Sequence, residues 1–190
     1  MPFADRRDAG RRLVERLRAF RGPDILVLGM PPDGVVIADE IATALGVPHG
    51  VLMMHDAHAA VAGTSARPLR GRTVVLVRDA FHVDDVADVR AAVRAVYHGG
   101  ALRVVVAAPV AEYRAVGRLA DAADKIVCLS MPDVLGDIDQ WYGHARTHGH
   151  ADARQYAHDD AGSGTGGFRG MTARIFPRPI TRVAPTRAQA

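Results

Sequence analysis

The stretch Val77-Arg78-Asp79-Ala80-Phe81-His82-Val83-Asp84-Asp85-Val86 concentrates more potential chemistry than any other part of this chain. It follows the apolar run Thr73-Val74-Val75-Leu76 and precedes Ala87 to Val93, where apolar residues recur at helical spacing. A strand therefore passes into a helix through a short turn. In α/β proteins such a turn commonly holds a phosphorylated ligand on the N–H groups at the helix start. A phosphate turn uses glycine for close backbone approach and a hydroxyl to bond the oxygens. This one has no Gly, Ser or Thr, and it carries Asp84 and Asp85. Against a phosphate those carboxylates are repulsive, since two like charges about 4 Å apart cost about 4 kcal/mol at an effective dielectric near 20. As N-cap and first-turn residues of the following helix they are favourable. Arg78 is placed to pair with Asp79, Asp84 or Asp85 and so to neutralise the turn from within.

Histidines offer a second chemistry. His55-Asp56-Ala57-His58 follows one strand-like run and His82-Val83-Asp84-Asp85 follows the next, so both fall at the carboxyl edge of a sheet. Imidazole and carboxylate together suit a divalent metal, and His55, His58, His82 and Asp84 are the candidate ligands. Their spacing matches no established metal signature, and scattered surface histidines account for them as well. The expected metal content is accordingly none. Cys128, the single cysteine, lies in the run Ile126-Val127-Cys128-Leu129 and reads as a buried, inert thiol.

The elements that must position these residues follow from apolar periodicity. Asp5 to Phe20 reads as an amphipathic helix with Ala9, Leu13, Leu17 and Phe20 on one stripe. Ile25 to Gly29 is a short continuous apolar run, as in a strand buried on both faces. A helix from Gly34 to Leu45 stops at Gly46 with Pro48 beyond. Further strands are expected at 51–54, 74–77, 104–108 and 126–129, with helices from 83 or 84 to 97 and from 112 to 122. Between Met54 and Thr73 only a turn near Ala62-Gly63-Thr64-Ser65 is expected. Strands alternating with helices call for a mostly parallel sheet with right-handed crossovers.

The chain has 190 residues, enough for one sizeable core. It shows neither an apolar run of about 20 residues nor a secretory signal at its start, so no membrane span and a cytoplasmic location are expected. Five Arg and no acid lie in 161–190, so with a whole-chain charge of +3 the first 160 residues carry −2. The domain is mildly acidic, which argues against a nucleic-acid face. Residues 1–158 read as one domain. Residues 159–190, with Gly-Ser-Gly-Thr-Gly-Gly and then Arg and Pro, read as a flexible linker and a disordered basic tail, of which 161–190 are expected to be removable without loss of folding.

Residues 77–86, with the opening segment Phe3 to Gly10, the stretch Val27 to Ala38, the runs Val104 to Val110 and Lys125 to Met131, and Trp141-Tyr142, resemble the phosphoribosyltransferase family, and within it a bacterial group of predicted phosphoribosyltransferases. The likeness covers about residues 3 to 147. It implies a single phosphoribosyltransferase-like α/β domain with helices flanking the sheet. It also implies roles. Arg78 and Asp79 stand where an acidic pair would hold the ribose hydroxyls. Ala80, Phe81, His82 and Val83 lie in the phosphate-turn segment, and Asp84, Asp85 and Val86 stand where Gly, Ala and Thr would bind the 5-phosphate. Pro32 and Asp33 replace the Arg-Gly pair of the pyrophosphate loop, and Gly34 remains. Asp79 alone survives of the catalytic positions. The long flap that the family carries after its second strand is expected to be absent. The leading expectation is therefore a family member that has lost transfer and acts as a ligand-binding or interaction protein, with an unidentified small molecule at the cleft and a homodimer as in many such folds. The alternative is active transfer from phosphoribosyl pyrophosphate with Mg²⁺, the only cofactor in prospect. A metal-binding module or hydrolase comes third.

Overall fold

Alternate residues of the central strands face two separate cores, and this sets the architecture. In the computed structural model, which describes residues 3–20, 22–55, 58–62, 69–143 and 173–175, Ile25 and Val27 point to one side of the sheet while Leu26 and Leu28 point to the other. The strands are β1 (Ile25–Gly29), β2 (His49–His55), β3 (His58–Ala62), β4 (Thr73–Val77), β5 (Ala80–Phe81), β6 (Arg103–Ala111), β7 (Lys125–Ser130) and β8 (Ala173–Ile175). The helices are α1 (Arg6–Leu17), α2 (Gly34–Leu45), α3 (Val86–His98) and α4 (Tyr113–Leu119). Across the sheet β7, β6, β4, β1 and β2 run parallel, and β5 pairs parallel with the far end of β6. β3 and then β8 extend the other edge antiparallel. On one face Leu13, Val14, Leu17, Ile37 and Ile41 of α1 and α2 cover Val27, Val75 and Val105. On the opposite face α3 and α4 cover Leu28, Leu76 and Val106. A strand buried on both faces has no polar side, which is why the central runs read as unbroken apolar sequence.

Local chemistry explains the ends of the helices. The Asp5 carboxylate accepts from the Asp8 N–H (2.7 Å) and caps α1, which tightens into a 3-10 turn at Arg18–Phe20. α2 ends at Gly46, whose φ of 67° lets its N–H reach back to Thr43. Two expectations need correction. The segment after Met54 is not a bare connection: His49–His55 and His58–Ala62 pair as antiparallel strands, with Leu52 and Val61 opposite each other and both buried. His58-Ala59-Ala60-Val61-Ala62 has weak strand propensity, and pairing with β2 overrides it. Most of the turn expected at 62–65 lies outside the described residues. Of the segment read as linker and tail, the structure describes Ala173–Ile175 alone, and these residues are a paired strand rather than a disordered one. Among the described residues no helix is long and apolar enough to cross a membrane.

Candidate functional site

Parallel strands bring their carboxyl ends to one edge of the sheet, and there two connections meet: Met30 to Asp33 after β1, and Arg78 to Asp85 around β5. They meet backbone to backbone. The Met30 N–H donates to the Val77 carbonyl (2.8 Å), and a Cβ placed on Gly34 would lie 2.3 Å from the same oxygen. Gly34, assigned to the pyrophosphate loop by resemblance, is thus required for close packing of the two connections. The preceding peptide Pro31-Pro32 is cis.

Two amides of the turn after β4 are held by the chain's own acids. The His82 N–H donates to Asp85 Oδ2 (2.8 Å), and the Val83 N–H donates to Glu112 Oε2 (3.0 Å). The Asp85 N–H is taken by the His82 carbonyl (3.2 Å) and the Val86 N–H by that of Val83. Glu112, just before α4, accepts from a second amide, that of Leu135 (3.2 Å). These two amides, together with the nearby His82, hold its carboxyl below the usual range. Asp85 also receives the Arg78 guanidinium at 3.3 Å, so of the three acids open to Arg78 it is Asp85 that pairs. The His82 ring sits 3.5 Å from Asp85 and bonds the Gly136 carbonyl at 3.1 Å. Asp84 is exposed. The expected helix-start role of Asp85 is therefore met by reaching back to His82, not forward into α3.

Four assigned positions leave the set of ligand-facing side chains. Ala80 and Phe81 form β5 and are buried in the core, where the register with Val110 and Ala111 turns them inward. Val86 is buried under α3, and Val83 packs against the same apolar cluster. The position where a hydroxyl would meet phosphate is thus part of the core.

Asp79 is buried and bonds its own neighbour, the Ala80 N–H (2.9 Å). Beside it stands a residue that the sequence reading passed over. Arg6 of α1 places one nitrogen 2.9 Å from Asp33 and 3.5 Å from Asp79, and its guanidinium lies 4.8 Å from the centre of the Tyr142 ring. The Tyr142 hydroxyl donates to the Asp79 carbonyl at 3.0 Å. Burial first, and the Asp33 carboxylate second, push the Asp79 carboxyl above its ordinary range, with Arg6 acting against both. Asp33 and Asp79, assigned to separate loops, are therefore joined through one cation. A signal for Arg6 was present: it precedes Ala9, Leu13 and Leu17 at helical spacing, and a charge on a buried stripe calls for a buried partner. Glu112 gave a weaker one, as an acid just before a helix.

No group of three or more His, Cys, Asp or Glu side chains converges among the described residues, and those of His55 and His58 lie outside that description. Burial pushes the Cys128 thiol up to about 12, which leaves it protonated and unreactive near neutral pH.

Comparison with known proteins places this geometry in context. No family model matches the chain. A Mycobacterium tuberculosis (strain ATCC 25618 / H37Rv) protein named "Putative phosphoribosyl transferase Rv0571c" is 29% identical over 191 residues, covering 74% of this chain and 43% of its own length. The chain thus spans less than half the length of the curated relatives it matches. The solved structure of TT1426 from Thermus thermophilus superposes with a TM-score of 0.66 at 29% identity, covering 76% of this chain and 92% of the other. Adenine phosphoribosyl transferase from Trypanosoma brucei, solved with AMP, pyrophosphate and ribose-5-phosphate, shares the fold at a TM-score of 0.51 and 20% identity, covering 79% and 76%. The chain is phosphoribosyltransferase-like, a single α/β domain built on a mostly parallel sheet.

Proposed function

We propose that this phosphoribosyltransferase-like domain does not transfer phosphoribose and instead binds a small molecule or a partner at the cleft between the Met30–Gly34 and Arg78–Asp85 connections. One observation carries the reading. Two amides of the phosphate-turn segment are already bonded to carboxylates, His82 N–H to Asp85 and Val83 N–H to Glu112. A dianion entering this turn must displace two like-charged groups. The residues present therefore do not fit phosphoribosyl pyrophosphate, and Mg²⁺ that would arrive with it has no role in this reading. Asp79 supports the same conclusion, since the carboxylate that would hold ribose faces Arg6.

Rebuilding the turn tests the cause. Asp84→Gly, Asp85→Ala and Val86→Thr, combined with Arg78→Asp, Ala80→Gly and Glu112→Ala, free the amides and restore the hydroxyl. Ribose 5-phosphate binding is expected to rise from undetectable to weak, in the millimolar range of about −4 kcal/mol. Transfer is not expected to return, because Pro32 and Asp33 still occupy the pyrophosphate loop. Binding by the starting protein equal to that of the rebuilt one would show that the carboxylates do not block the turn.

A further inference from the structure

We propose that the outer edge of β3 is a strand-acceptor surface whose occupant is the chain's own segment Ala173–Ile175, and that this segment thereby braces an arm standing at the cleft edge. The register defines the arm. Gly29, the last residue of β1, lies opposite Val51, and β1 then turns away toward Val77. β2 continues through Leu52, Met53, Met54 and His55 with β3 as its partner. Four residues at about 3.3 Å each carry the hairpin roughly 13 Å past the end of β1. They do so at the edge where both cleft connections lie. In this overhang Ala59 pairs with Met54, Ala60 with Met53 and Val61 with Leu52. Those same three residues pair on their other side with Ile175, Arg174 and Ala173. The tail strand thus meets the hairpin where β1 no longer supports it.

Two further observations favour this occupant. An alanine-rich edge strand offers unpaired N–H and C=O groups and few side-chain contacts, so an added strand contributes mainly backbone hydrogen bonds. Tethering makes the pairing intramolecular, so three residue pairs act at an effective concentration that free peptides do not reach. Through this pairing, anything that captures the segment releases the arm.

Hydrogen–deuterium exchange on the full chain tests this against Arg174→Pro, which removes an N–H and disrupts strand pairing. Amides of Ala59–Val61 are expected to exchange about tenfold faster or more in the variant, while those of β1 and β4 keep their protection. In the unsubstituted protein the protection is expected to be the same at low and high protein concentration. Equal exchange of Ala59–Val61 in the two proteins would overturn the proposal. So would protection that appears only on concentrating the protein, because it would assign the strand to a second copy.

Discussion

Gly34→Ala is expected to lose about 3–5 kcal/mol of stability, the largest effect of any single methyl group added at the site. An added Cβ would stand 2.3 Å from the Val77 carbonyl oxygen and 2.9 Å from the Arg78 Cα. Both atoms belong to backbone in or beside β4, which is hydrogen-bonded to β1 on one side and β6 on the other, so neither can give way locally. At about 2–4 °C per kcal/mol for a chain of this size, the melting temperature should fall by roughly ten degrees. A control at Gly117, where an added Cβ meets nothing within 4 Å, should change it little or raise it slightly. Equal melting of Gly34→Ala and the parent would mean that the two connections are not in contact.

The second large effect belongs to Arg6. Removing its guanidinium in Arg6→Ala leaves Asp33 and a buried Asp79 facing each other without the cation that bridges them. Breaking a buried pair costs about 3–5 kcal/mol, and partial exposure of Arg6 and Asp33 brings the expected loss to about 3 kcal/mol. Adding Asp79→Asn should recover much of it, because the second substitution removes the charge left behind. The pH dependence has a definite sign. The folded-state pKa of Asp79 is raised, so between its unfolded value and its folded value the native state holds more protons than the unfolded state. Stability contributed by this group therefore falls as pH rises through that window. Loss of Arg6 widens the window upward, so the deficit of Arg6→Ala should be largest near neutral pH and shrink on acidification. A deficit independent of pH, with no rescue by Asp79→Asn, would assign the loss to packing on Tyr142 instead.

Legibility in the sequence divides along the range of the interactions. α2 was readable to its ends because Gly46 and Pro48 stop it and its apolar period is unbroken. β1, β4 and β6 were readable because their runs Ile25–Gly29, Val74–Val77 and Val104–Ala111 are covered on both faces and hold no polar side chain, and β7 from its apolar run Ile126-Val127-Cys128-Leu129. β3 was not, since Ala-Ala-Val-Ala has no intrinsic strand signal and its structure comes from pairing with β2. β5, two residues long, is set by register against β6. The candidate site divides in the same way. The helix-start role of Asp85 was legible from local sequence, since its bond to the His82 amide spans three residues. The bond from the Val83 amide to Glu112 spans 29 residues and that from Arg6 to Asp33 spans 27, and no local pattern encodes either. Ala80, Phe81 and Val86 were assigned to ligand by position along the turn, whereas burial is decided by what packs over the turn.

We propose that Asp85 and Glu112, bonded to the His82 and Val83 amides, close the turn after β4 to phosphoribose. Titration calorimetry of the full 190-residue chain with phosphoribosyl pyrophosphate, with and without Mg²⁺, tests it most directly. The predicted result is no binding heat up to millimolar ligand, in either condition. Saturable binding in the micromolar range, about −8 kcal/mol, would contradict the account and point to a retained transferase site.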